Sequence, residues 1–378
     1  MSGPAVTVRQ LAGGPELDVF INLPWRIYRD DPLWVPPLVA DVRAALGPRH
    51  PFHDHADTAL FLAWHDGQPV GRVAAIINRA HNDFHEDRLG FFGLFESTDD
   101  QAVADALLGA AEAWLRERGM TGVQGPVNLS TNEELASPGV LVHGHEHPPV
   151  VMMGHTPPYY AALLERAGYA GAKDLLCYWV DGRQGAPDRF VRGMERARRA
   201  SNLTIRSLDM KRFAAEVQSV QDIYNSAWER NWGFIPMTPA EIGYMAKHLK
   251  PVIYPQLCAM AVHEGEPIAF ALALPDYNQA LRHVNGRLLP FGLLKLLWYR
   301  RRINAVRVIT LGVKPEHRGK GIDGMLIAHI LGEAQKLNMA QGECSWILED
   351  NSAMRRGIER VGGTVYKTYR VFEKPLDA

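Results

Sequence analysis

The feature that most constrains this chain is an order of elements that occurs twice. In the first half, "TALFLAWHDG" (58–67) and "QPVGRVAAIINRA" (68–80) are strand-like runs that meet at Asp66-Gly67, which predicts a hairpin. "RLGFFGLFES" (88–97) reads as a third strand. "DDQAVADALLGAAEAWLRERG" (99–119) has helical spacing, acidic residues at its start and Gly at its end. A strand at 120–128, a short helix at 157–169 and a strand at 172–181 complete the series. The second half repeats it: a hairpin over 255–265 and 266–277, a strand at 305–313, a helix at 322–339, a strand at 341–349, a short helix at 351–363 and a strand at 364–374. Strand-like and helix-like runs that alternate in this way predict mixed α/β architecture. Two copies in 378 residues predict two domains, 1–185 and 186–378, joined through the hydrophilic "DGRQGAPDR" (181–189).

Only the second copy places a cationic glycine loop between its third strand and its long helix: "VKPEHRGKGIDGML" (313–326). The first N–H groups of a helix lack intrahelical partners, and the dipole adds positive potential there. Gly319 and Gly321 permit close backbone approach, and Arg318 and Lys320 add charge, so the loop suits an anion such as a pyrophosphate. It is not a P-loop: the spacing differs and no Ser or Thr follows the Lys. GxGxxG does not occur in it either. An ordinary strand–turn–helix connection is the plain alternative.

"HRGKGIDGML" resembles the R/Q-x-x-G-x-G/A pyrophosphate arm of the GNAT superfamily of acyl-CoA-dependent N-acyltransferases, with Arg318, Gly321 and Asp323 at the three motif positions. "NSAMRRGIERVGG" resembles a second segment of that family, with Asn351 and Gly362 in place. The resemblance covers about residues 205–374; the first half shares the order of elements without the loop, so the whole resembles a tandem GNAT protein. It implies a fold of two GNAT-like domains, each a mostly antiparallel sheet flanked by helices. It also implies acetyl-CoA or another acyl-CoA as co-substrate, bound by backbone groups of Leu311, Gly312 and Val313 along the pantetheine and of Gly319, Lys320, Gly321, Ile322 and Asp323 around the pyrophosphate. The reaction implied is direct acyl transfer to a small amine or amino-acid-like acceptor.

The chain departs from that pattern at two places. Asp323 replaces a small residue, and its carboxylate competes with a pyrophosphate for the helix N-terminus, so weakened CoA binding is expected. Ile358 stands where the family's usual general-acid Tyr lies. Tyr277 and Glu349, near predicted strand ends, are the candidate acid and base. These departures keep a second reading open, a non-catalytic protein of the same fold that binds CoA or another ligand. In the first half, Asp99 and Asp100 at the helix start cap a helix and disfavour an anion, so that domain is expected not to bind CoA.

Composition narrows the remaining classes. A net charge of −1 gives no field for nucleic acid. Three distant cysteines give neither a disulfide framework nor a zinc site. Histidines in "RHPFHDHAD" and "LVHGHEHPPVVMMGH" are expected to be solvated or hydrogen-bonded loop residues, and no metal site is predicted. With no signal-peptide pattern and no run of 18 apolar residues, a cytoplasmic protein is expected. A homodimer is the base-rate expectation. "LLPFGLLKLLWYRRRI" (288–303) is an apolar insertion with a basic end. It reads as a core-packed helix or, functionally, as a lid over an acyl chain, a contact for an acyl carrier protein or a membrane surface, or a cationic contact for the 3′-phosphate of CoA.

Overall fold

A computed structural model describes residues 6–377 apart from Glu134 and Arg230. The strands in chain order are β1 (Thr7–Gln10), β2 (Ala56–His65), β3 (Gln68–Asn78), β4 (Leu89–Ser97), β5 (Gly122–Gly125), β6 (Val140–His143), β7 (Ala170–Asp181), β8 (Leu203–Ser207), β9 (Cys258–His263), β10 (Glu266–Pro275), β11 (Ala305–Val313), β12 (Gln341–Leu348) and β13 (Thr364–Pro375). The chain divides into two compact units. One comprises Met1–Leu175, Leu281–Trp298 and Lys367–Ala378; the other comprises Leu176–Ala280 and Tyr299–Tyr366. The division falls within β7 and within β13, and so differs from a single cut at 185/186. The end of the chain and the 281–298 insertion belong with the N-terminal unit.

In the first unit β1, β2, β3 and β4 form an antiparallel run, and β5 joins β4 in parallel. The last residues of β13 pair with β5, Phe372 opposite Gly125. The β2–β3 hairpin turns on Asp66 and Gly67, both at positive φ (51° and 71°), as a two-residue turn requires. The parallel β4–β5 pair is bridged by the helix Gln101–Arg116. Its Val103, Ala104, Leu107, Leu108, Ala111 and Leu115 form one helical stripe, fully buried on the sheet.

The second unit repeats the plan. β8, β9, β10 and β11 are antiparallel neighbours, and β12 lies parallel to β11. The helix Ile322–Lys336 bridges the parallel pair, burying Ile322, Met325, Leu326, Ile330 and Ala334 at the same spacing. Helices Phe213–Trp228 and Pro239–Leu249 precede the β9–β10 hairpin. The mixed α/β architecture, with a largely antiparallel sheet and flanking helices in each unit, follows the doubled order in the sequence.

Candidate functional site

Along β11 the sheet opens. Its parallel ladder with β12 runs over four rows, from Ala305–Gln341 to Val308–Cys344, and then stops. A bulge lies at the same level: Ala273 pairs with Val308 but Leu272 with Thr310, so Ile309 is the extra residue. A bulge bends its strand and increases local twist, which is a physical reason for the two strands to part there. From Thr310 to Val313, β11 pairs with β10 alone, and among the described residues no ladder joins Ile309–Val313 to β12. A strand edge with unpaired N–H and C=O groups is a template for an extended polar chain.

Side chains beside the opening carry unmet polar atoms as well. Thr310 and Trp346 each stand two residues past the last paired row, one on each strand. The Thr310 hydroxyl and the Trp346 indole nitrogen are both buried without a hydrogen-bond partner. Trp346 has φ 56°, a strained conformation for so bulky a residue and of the kind that clusters at functional sites. One row inside the opening, Arg307 and Glu343 are cross-strand partners with 3.8 Å between Nε and Oε1. Arg307 Nε donates to Ser345 Oγ at 2.8 Å, and the Tyr366 hydroxyl donates to Glu343 Oε2. The Arg307 guanidinium also lies 4.7 Å from the Trp346 ring centre. Sequence reasoning missed this network; charged residues inside the apolar strands "AVRVITLGV" and "QGECSWILE" are the signal that marks it. Cys344, at the last paired row, is no nucleophile at neutral pH. Burial, aided by the Glu343 charge, pushes its thiol up to about 12.

The open edge leads into the glycine loop. Gly319 and Gly321 have φ 75° and 73°, a region that glycine enters without cost, and no atom lies within 4 Å of a Cβ built at either. Gly321 is the N-cap of the Ile322–Lys336 helix, so the N–H groups at that helix start have no intrahelical acceptor. Lys320 is exposed. Arg318 is turned elsewhere: its guanidinium donates to the Ala227 carbonyl at the end of the Phe213–Trp228 helix and to the Val313 carbonyl at 3.3 Å. It braces the loop against strand and helix. Gly312 is fixed by packing, since a Cβ there would lie 2.5 Å from the Trp228 ring. Leu311 and Val313 are half-buried on the open stretch, and Ile322 is buried in the core. Asp323 is half-buried, with Oδ2 only 3.9 Å from a Cβ built on Gly357 of the Ser352–Arg360 helix. That carboxylate leans toward the short helix.

Asn351 is the N-cap of the short helix, its side chain accepting from Met354 N at 3.1 Å. Ile358 is buried in that helix. Tyr277 and Glu349 are not brought together. Tyr277 follows the end of β10, next to Asp276, whose N–H donates to the Ala305 carbonyl at 2.9 Å. It therefore sits toward the closed end of β11, three residues or roughly 10 Å along the strand from the opening. Burial, reinforced by Tyr254 and opposed by Arg300, holds its phenol above the usual value. Glu349 is exposed just past the end of β12, on the loop side of the opening, and its carbonyl accepts from Arg355 at 2.7 Å.

The N-terminal unit closes the equivalent edge with its own chain. Past the β4–β5 ladder, Val127 N–H donates to the Phe92 carbonyl at 2.8 Å, and Asn128 Oδ1 accepts from Leu94 N–H at 2.6 Å. The following helix is capped by Asp100, which accepts from Ala102 N–H at 2.9 Å. Among the described residues no cluster of three or more His, Cys, Asp or Glu is suited to a metal ion.

The open parallel pair that feeds a glycine-capped helix accords with the GNAT fold, which the comparisons show. The Acetyltransferase (GNAT) family matches residues 217–362, within the part of the chain that carries the loop. The chain belongs to the GNAT superfamily, as a tandem-domain member. It is 42% identical over 369 residues to a protein named bacterial ceramide synthase from Caulobacter vibrioides, covering 96% of this chain and 95% of that one. It is 37% identical over 378 residues to Protein YghO of Escherichia coli, covering 98% and 95%. Its fold is similar to that of a tandem GNAT protein from the clavulanic acid biosynthesis pathway, with a TM-score of 0.59, 12% identity and 99% of both chains covered. Members of this family use acyl-CoA.

Proposed function

We propose that the protein is an N-acyltransferase that moves a fatty acyl group from a CoA thioester to the amino group of a long-chain amine. The observation that carries the reading is the unpaired Ile309–Val313 edge running into the open glycine N-cap at Gly321. An extended pantetheine arm with a pyrophosphate at its end matches that succession of groups. The long chain is supported by the relative named bacterial ceramide synthase, a ceramide being the amide of a fatty acid and a long-chain amino alcohol.

In this reading the neutral amine attacks the thioester carbonyl, the C–N bond forms, the C–S bond breaks and the sulfur leaves as a thiolate. Tyr277, protonated through the neutral range, is the proposed donor to that thiolate, by way of bridging water because it stands roughly 10 Å along the strand from the opening. Glu349, exposed to water, is the proposed acceptor of the ammonium proton, through a bridging water because it stands at the loop end. Backbone groups of Leu311, Gly312 and Val313 hold the pantetheine, and those of Gly319 to Asp323 hold the pyrophosphate. The N-terminal unit, whose equivalent edge is occupied by Val127 and Asn128, binds no CoA in this reading.

The test is thiol release from acetyl and long-chain acyl-CoA, and from an acylated carrier protein, over short and long-chain amines, with the amide identified by mass. Turnover of long-chain acyl-CoA with a long-chain amine is expected. Preference for acetyl-CoA and a small amine would overturn the substrate assignment. Tight CoA binding without any turnover would make the protein a non-catalytic member of the fold.

A further inference from the structure

Nine large apolar residues are exposed among the described residues, and six of them lie within ten positions: Leu289, Phe291, Leu293, Leu294, Leu297 and Trp298. Leu289 is 80% exposed, Phe291 67% and Trp298 62%. Such a concentration of apolar surface marks an interaction site. It also departs from the core-packed helix that the sequence suggests for this stretch.

The display is built on fixed supports. Immediately before it, Trp25 Nε1 donates to Asn285 Oδ1 at 2.8 Å, Arg287 donates to Asn22 Oδ1 at 2.9 Å, and Val39 N–H donates to the Gly286 carbonyl at 3.0 Å. Gly286 has φ 71° and lies so close to Trp25 that a Cβ would meet the indole at 2.4 Å. These contacts all lie within the N-terminal unit, so the apolar crest begins at a tethered base. In the Gly292–Tyr299 helix, Leu293, Leu294, Leu297 and Trp298 fall on one arc of about 140°.

Charge selects what covers this crest. No Asp or Glu occurs from Asn278 to Asn304, while Arg282, Arg287, Lys295, Arg300, Arg301 and Arg302 do. Lys295 and Arg300 to Arg302 are exposed. In a chain of net charge −1, that is a concentrated cationic flank beside an apolar crest with a Trp at its edge. No helix among the described residues is long and apolar enough to cross a membrane. We propose that residues 289–302 dock the protein on an anionic lipid bilayer, the apolar side chains entering the acyl boundary and the cations meeting lipid phosphates. The docking is independent of the acyl-transfer reading and needs no substrate.

The test is cosedimentation of the full chain with phosphatidylcholine vesicles, with and without phosphatidylglycerol, at low and high salt. Binding to the anionic vesicles is expected, weakened by salt. Leu294→Glu with Trp298→Glu should lower it at least about tenfold, and Arg300→Gln, Arg301→Gln, Arg302→Gln should remove the preference for anionic lipid. Unchanged circular dichroism and melting keep the variants interpretable, because the replaced side chains are exposed. Absence of vesicle binding by the wild type, or binding that survives both sets of changes, would overturn the proposal. So would binding of an acidic carrier protein, in place of vesicles, that these changes abolish.

Discussion

Arg307 and Glu343 face each other across the parallel β11–β12 ladder, both side chains sealed from water, one row inside the point where the two strands part. A pair in that position holds the closed end of the opening together. Removing one partner leaves the other's charge buried without its counter-charge, a cost of up to about 3–5 kcal/mol that the remaining hydrogen bonds to Ser345 and from Tyr366 reduce. Glu343→Leu and Arg307→Met should each lower the urea midpoint sharply, and the double change should cost less than their sum. Strict additivity would show that the two residues do not stabilise the fold as a pair.

The loop makes a two-sided prediction. At Gly321, Ala must adopt a left-handed backbone at a cost of about 1–2 kcal/mol, and it narrows the approach to the helix N-terminus. Gly321→Ala should weaken CoA binding about tenfold by calorimetric titration. Asp323→Asn removes a carboxylate from the same helix turn and should strengthen binding about two- to fivefold. Unchanged or weaker binding by Asp323→Asn would remove the repulsion argument.

Tyr277 and Glu349 are tested by the separation of kcat from KM. Tyr277→Phe and Glu349→Gln should each reduce kcat, by about 10²-fold for a group that moves a proton in the transition state, with KM for acyl-CoA little changed. A change confined to KM would make the residue a binding group. An unchanged kcat would remove it from the chemistry.

His81, in the N-terminal unit, gives a pH signature. Burial, reinforced by His85 and opposed by Asp87, pushes its pKa down to about 4. The folded state therefore binds fewer protons there than the unfolded chain, whose histidine titrates near 6.5. The stability it contributes is complete above about pH 6.5 and is lost as pH falls toward 4. Denaturant unfolding should show that loss in the wild type and a flatter profile in His81→Phe. Equal slopes would contradict the assignment.

The fold was legible in the sequence because its signals are local. Asp66-Gly67, the stripe Val103 to Leu115 and the capping Asn351 each specify an element within a few residues. The elements before the β9–β10 hairpin, Asp188–Ala200, Phe213–Trp228 and Pro239–Leu249, fall outside the doubled order and so gained nothing from the repeat. The unit assignment of residues 367–377 was not legible either, because it depends on pairing with β5, some 250 residues away in the chain. At the site, glycines and cations advertised the loop. The opening itself rests on the point where the β11–β12 register ends and on a bulge at Ile309, neither of which leaves a mark in residue type. Arg318 shows the limit of motif reading: its position matches, yet its side chain binds the Ala227 carbonyl.

The central claim is that acyl-CoA lies along the open edge of β11, and a crystal of the protein grown with CoA tests it most directly. The account predicts electron density for the pantetheine beside Ile309–Val313 and for the pyrophosphate at Gly319–Asp323. Density for CoA at any other place, or a filled gap between β11 and β12 with none, would contradict it.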